Sequence, residues 1–227
     1  MSTGKRIWDI LYPTVFLLLV MILCSMIVLV IAGLITGERN AEALQEEVRI
    51  LPLLVSLLAY VITLLYQRRY VIVEEARFGK GKNRWKVWQI VLACALATGA
   101  GMLWSHVIQS SFLMEWFPGY TLHAAGAFEG QPLPLLLAAT VAAGPLAEEW
   151  IFRGMTYRRA RAVMNRPLAM LLSAVLFGAY HANMIQFVYA LPLGILFAWY
   201  YEKSGSLLTP VLAHMAVNFG ACIFSLF

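Results

Sequence analysis

Seven stretches of this chain run with little or no charge: Thr14 to Thr36, Ile50 to Tyr66, Val87 to Met114, Leu133 to Phe152, Leu168 to Ala182, Met184 to Tyr201 and Leu207 to Phe227. A hydrocarbon layer about 30 Å thick is crossed by about 20 helical residues. Lipid offers backbone N–H and C=O groups no partner, so each run is expected to satisfy its own backbone as a helix. The expected fold is all-α: a polytopic transmembrane helix bundle of about seven spanning helices, or eight helices with an interfacial one. Composition excludes a soluble globule. Of the residues 61% are hydrophobic and 13% charged, against about a quarter charged in soluble domains, and the mean hydropathy is +0.75.

The first run follows Lys5 and Arg6 as a signal peptide would. It exceeds the apolar core of such a peptide and no small-x-small cleavage site follows, so it reads as a retained helix. No internal repeat or low-complexity tract is visible, and residues 1–227 are expected to form a single integral-membrane domain. Cys24, Cys94 and Cys222 sit inside apolar runs without CxxC spacing and read as small core residues.

The chain carries 17 Lys and Arg against 12 Asp and Glu, a net charge of +5. In a membrane protein this surplus is first a matter of orientation, because loop Lys and Arg collect on the cytoplasmic side. Threading the runs with the N-terminus inside leaves only Arg39 and Arg49 outside. Lys5, Arg6, Arg68, Arg69, Arg77, Lys80, Lys82, Arg84, Lys86, Arg153, Arg158, Arg159, Arg161, Arg166 and Lys203 all fall inside. The N-terminus is thus expected in the cytoplasm and the C-terminus outside. The basic loop from Arg68 to Lys86 is expected to meet anionic lipid, not nucleic acid, with Trp85 and Trp88 at the interface. Glu115 to Gln131, with Pro118, Gly119, Gly126 and Gly130, is expected as an outer loop with a surface-lying turn of helix.

An ionisable group inside a spanning run costs a few kcal/mol and needs a partner or a purpose. Glu148, Glu149 and Arg153 late in the fourth run, His181 ending the fifth, and His214 with Asn218 in the seventh qualify. His106 and His123 read as interfacial or loop histidines. Glu149 and Arg153 stand at i, i+4 in the favourable order for an ion pair, which leaves Glu148, about 100° away, without a partner on its own helix. His214 and Asn218 share a helix face by the same spacing, as do Phe177 and His181.

These groups can meet only at one depth. The fourth helix is expected to continue to a turn at Asn165, Arg166 and Pro167, where proline opens the next helix. Counted from Arg166 in an antiparallel hairpin, Glu149 and His181 are level to within about 3 Å. Counted from Arg158 and from Ser206, Glu149 and His214 lie about 13 and about 12 Å deep. Gly144 and Pro145 just upstream are expected to break the helical ladder and allow a bend and a wet pocket. The set suits amide hydrolysis: a buried carboxylate to take a proton from water, an imidazole to share it, and amide or imidazole donors for an oxyanion. No GxSxG is present and Asp9 is the only aspartate, which argues against serine and aspartyl chemistry.

The three motifs Glu148-Glu149-Trp150-Ile151-Phe152-Arg153, Phe177-Gly178-Ala179-Tyr180-His181 and His214-Met215-Ala216-Val217-Asn218 resemble the EExxxR, FxxxH and HxxxN of the CAAX-protease and bacteriocin-processing family (CPBP, also called ABI). Its eukaryotic members are Ras-converting prenyl-protein endopeptidases. The resemblance covers roughly Leu133 to Phe219 and implies a metal-independent intramembrane glutamate endopeptidase without a cofactor, acting on a membrane-associated peptide or protein. In it Glu148 with His181 activates water, His214 and Asn218 form the oxyanion site, and Glu149 and Arg153 orient them. Residues 133–227 would then hold the catalytic helices and 1–114 the helices that shape access. The chain is expected in a bacterial plasma membrane.

Other readings stand beside this one. Glu149 with Arg153 also fits a structural buried pair, and His214 with Asn218 fits interhelical hydrogen bonding. A non-catalytic immunity or scaffold protein would keep the same pocket, and a proton-coupled transporter could use the same glutamates. Two histidines and a glutamate can also ligate zinc, although no HExxH is present.

Overall fold

The computed structural model describes residues 3–38, 40, 43–44, 48–78, 84–117 and 130–226. Its helices are α1 (Thr3–Thr36), α2 (Leu51–Phe78), α3 (Val87–Gln109), the single turn α4 (Leu113–Trp116), α5 (Leu133–Arg161), α6 (Arg166–Tyr180), α7 (Met184–Ser204) and α8 (Leu208–Leu226). This is an all-α polytopic membrane bundle. Among the described residues five helices, α1, α2, α3, α5 and α7, are long and apolar enough to cross a bilayer, and α6 and α8 are shorter apolar helices.

Several boundaries differ from the sequence reading: α1 starts at Thr3, ahead of the run from Thr14, and α6 stops at Tyr180, so that His181 caps its end. The segment expected as a basic loop from Arg68 is helical as far as Phe78. The helix persists past its apolar run because its charged end finds partners: Glu74 lies 3.1 Å from Arg158, and Glu75 accepts the Tyr201 hydroxyl at 2.6 Å and the Leu207 N–H at 2.7 Å. α3 stops at Gln109, short of Met114, where Ser110 turns its hydroxyl back onto the carbonyl of His106 at 2.9 Å. That bond competes with helix continuation. α4 overlaps the segment from Glu115 to Gln131, where a loop with a turn of helix was expected, only at Glu115 and Trp116, and residues 118–129 of that segment lie outside the described residues. Arg39, Lys80, Lys82, Pro118, Gly119, His123 and Gly126 lie outside the described residues.

α5 is the central element. It packs against α1, α2, α6 and α8, while α6 with α7, α1 with α2, and α3 with α8 form close pairs around it. Two stretches of α5, Leu137–Ala143 and Phe152–Tyr157, widen into π-helix. The first lies where Pro145, which has no N–H, and its ring disturb the preceding turn, at the place where Gly144 and Pro145 were expected to break the ladder. Neighbouring helices use the altered carbonyls. Asn218 of α8 donates to Thr140 O at 2.8 Å, and Ser173 of α6 donates to Phe152 O at 2.8 Å.

The turns follow ordinary capping chemistry. Asn165 accepts the Leu168 N–H at 3.0 Å and Pro167 sits in the first turn of α6, as its sequence suggested. Asn183 caps α7 in the same way through Gln186. Between them Ala182 takes φ 52°, a left-handed conformation uncommon for a residue with a Cβ. At the opposite end the charged termini gather: Arg159 reaches the Asp9 carbonyl at 2.7 Å, and Glu202 accepts from Tyr157 at 2.6 Å and faces Arg166 at 3.2 Å. The helix ends that the charge count assigned to one side thus share one end of the bundle.

Candidate active site

The antiparallel register of α5 and α6 sets the site's level. Phe152 packs its ring on Phe177 at 5.2 Å and on Tyr180 at 5.8 Å, so residues about equally far from the Arg166 turn are neighbours. One turn N-terminal of Phe152 lie Glu148 and Glu149, both buried. The 100° between them sends them to different partners.

Glu149 anchors a fully buried knot. Its Oε1 accepts Arg153 Nη1 at 2.8 Å and the His214 ring Nδ1 at 2.9 Å. Arg153 Nη2 donates to the Gly194 carbonyl of α7 at 2.9 Å, and the guanidinium lies 4.7 Å from the Phe177 ring centre and 5.4 Å from that of Phe197. Gly194 permits this arrangement, since a Cβ there would meet Ala174 Cα and Cβ at 3.0 Å. Both rings thus lie within cation–π reach of a guanidinium held far from water.

His214 is held in one orientation. Its ring stacks on Phe197 at 4.9 Å and meets Phe177 edge-on at 5.6 Å. A carboxylate already paired with Arg153 is an acceptor only, so Nδ1 donates to Glu149 and the ring's other nitrogen is left for chemistry. That nitrogen, Nε2, stands 3.7 Å from Glu148 Oε2. His214 therefore lies between the two glutamates.

Glu148 Oε1 accepts the Tyr60 hydroxyl of α2 at 2.8 Å, and the Tyr180 hydroxyl lies 3.2 Å from that of Tyr60. His181, half-buried at the end of α6, has Nδ1 2.9 Å from the Phe177 carbonyl. A carbonyl cannot donate, so Nδ1 carries the proton and a neutral His181 presents Nε2 as a base. Asn218 lies one turn beyond His214, with one amide N–H spent on Thr140 O. Glu148, Glu149, Arg153 and His214 thus form one cluster. His181 joins it through the rings of Phe177 and Tyr180, and Asn218 borders it along α8.

Sequence reasoning missed Tyr60 and Tyr180. Tyrosine is common near membrane interfaces, and no spacing rule links a lone phenol in α2 to a glutamate in α5. Tyr180 could have been noticed as the neighbour of His181. His106 is exposed in α3 and apart from the cluster. Among the described residues no three His, Cys, Asp or Glu side chains converge as metal ligands.

Residues 130–220 match the family described as Type II CAAX prenyl endopeptidase Rce1-like, a stretch holding every residue of the three motifs. The chain is 31% identical over 88 residues to the "Putative membrane peptidase YdiL" of Bacillus subtilis (strain 168), which covers 39% of this chain and 36% of that protein. The match therefore spans about a third of the length of this curated relative. No solved structure matches the chain. At family level residues 130–220 are similar to Rce1-like CAAX membrane proteases, and α1 to α4 lie outside the matched stretch.

Proposed function

We propose that this integral membrane protein is an intramembrane endopeptidase that hydrolyses a peptide bond in a membrane-associated peptide or protein. The observation that carries the reading is the buried row Glu148, His214 and Glu149, with Nε2 of His214 3.7 Å from Glu148 Oε2 and Nδ1 2.9 Å from Glu149 Oε1. Glu149 is committed to Arg153 and His214, whereas Glu148 keeps one oxygen turned toward the imidazole.

In the proposed reaction Glu148 takes a proton from water as the water oxygen bonds to the substrate carbonyl carbon. The carbonyl oxygen gains negative charge, which Nε2–H of a protonated His214 and the second amide N–H of Asn218 would stabilise. His214 can offer that donor only as an imidazolium, because its Nδ1 proton is already given to Glu149. The proton held by Glu148, passed directly or through Nε2 of His181, goes to the leaving nitrogen as the C–N bond breaks. One water is consumed, and one carboxylic acid and one amine are released.

Similarity to a Bacillus protein named a membrane peptidase supports a bacterial plasma membrane, and the gathered basic ends support a cytoplasmic N-terminus, an outside C-terminus and contact with anionic lipid. The substrate class that suits such an enzyme is a membrane-bound peptide precursor. Comparative membrane peptidomics of wild type against Glu148→Ala tests the reading: peptides released by wild type are expected to vanish in the variant, at equal protein levels. Identical peptide profiles would sink it. Release that survives chelation separates this mechanism from a zinc-dependent variant, and a non-catalytic binder would tolerate Glu148→Gln.

A further inference from the structure

We infer that Tyr60 is a positioning residue that holds Glu148 by one oxygen and so selects the other for proton transfer. This rests on the reading of Glu148 as the base, but it concerns a residue in α2, outside the stretch that matches the protease family. Tyr60 is buried, and its hydroxyl is 2.8 Å from Glu148 Oε1.

The direction of the bonds follows from proton inventory. A phenol has one proton. Tyr60 gives its proton to the carboxylate, so in the 3.2 Å contact with Tyr180 it is Tyr180 that donates. The chain runs from Tyr180 to Tyr60 to Glu148 and ends on Oε1. Oε2 then remains on the side of His214 Nε2, at 3.7 Å. A carboxylate accepting a fixed bond at one oxygen has its plane set as well as its position. This is the orientation a base needs if its free oxygen is to meet a water proton.

The backbone of α5 is shaped to receive this phenol. A Cβ at Gly144 would meet the Tyr60 ring at 3.3 Å, so glycine one turn before Glu148 gives the ring its seat. The apolar packing of α2 on α5 requires only the ring. The hydroxyl is an additional feature, and Tyr60→Phe removes it while keeping the ring and its seat.

The test has one readout independent of turnover. An infrared difference spectrum, wild type minus Glu148→Gln in full-length purified protein, isolates the Glu148 carboxyl band. In the Tyr60→Phe background that band is expected to shift. In isolated membranes, Tyr60→Phe is expected to slow release of the Glu148-dependent peptides by about ten- to a hundredfold, with an unfolding temperature close to wild type. Tyr180→Phe is expected to slow release less, and to add nothing in the Tyr60→Phe background. An unmoved band, or a moved band with wild-type release, overturns the inference. Absence of any Glu148-dependent peptide in wild type overturns the protease reading instead, and leaves the band to decide whether Tyr60 holds Glu148.

Discussion

α1 and α5 are both membrane helices, yet they place their residues by opposite rules. α1 has no formally charged residue after Asp9, and many of its large side chains face outward: Leu34 is 81% exposed and Ile35 79%. α5 carries Glu148, Glu149 and Arg153, and the last two are fully buried. Lipid tails are as apolar as leucine, so α1 gains little by hiding its leucines. An ion in lipid is costly, so α5 must surround its charges with protein. In such a fold the interior is marked by the polar residues.

The sharpest way to break this contrast is at the ion pair and at Glu148, the proposed base. Glu148→Gln is expected to lower peptide release by about 10²- to 10⁴-fold, the usual value of a general base, while the amide oxygen still accepts from Tyr60 and the fold persists. Arg153→Ala strands Glu149 and His214 in a dry site and is expected to cost about 3–5 kcal/mol in mixed-micelle unfolding. Pairing Arg153→Met with Glu149→Gln removes both charges and is expected to recover much of that stability without restoring release. If Arg153→Ala were as mild as a substitution on the outer face of α1, the buried pair would not be what distinguishes α5.

A smaller effect is expected where α2 meets α7 and α8. Glu75 accepts the Tyr201 hydroxyl and the Leu207 N–H, tying α2 to the end of α7 and the entry to α8, the helix that carries His214. Glu75→Gln keeps one acceptor oxygen and loses the charge, which is expected to cost about 1–2 kcal/mol and to reduce release less than Glu148→Gln. An unchanged unfolding midpoint would show that α8 is held by its apolar packing alone.

Much of this arrangement was legible because lipid imposes simple rules. The apolar runs gave the spans, and counting residues from the Arg166 turn put Glu149 and His181 at one level, in keeping with the Phe152, Phe177 and Tyr180 contacts. The i, i+4 pairing of Glu149 with Arg153 followed from helix geometry and is present at 2.8 Å. What stayed hidden depended on rotation about the helix axes and on contacts between distant helices. Depth counting could not tell that His214 stands between both glutamates. Tyr60 is 88 residues from Glu148 in sequence, with no spacing to connect them. The helical end of α2 was missed because charge was taken as the edge of the helix, when it was only the edge of the lipid.

The mildest prediction returns to α1. Val30, Leu34 and Ile35 are exposed, while Leu17 is fully buried among core side chains. Alanine at each outer position is expected to change unfolding by no more than about 0.5 kcal/mol, since lipid fills the space left behind. Leu17→Ala leaves a hole that lipid does not reach. In a soluble core such a change costs about 2–5 kcal/mol, of which only the cavity part applies here, because leaving lipid for protein yields little transfer energy. About 1–2 kcal/mol is therefore expected for Leu17→Ala in mixed-micelle unfolding. A cost in the full soluble range would mean that water reaches the groove around Leu17 in the unfolded reference, and that α1 is less purely a lipid-facing helix than its sequence makes it.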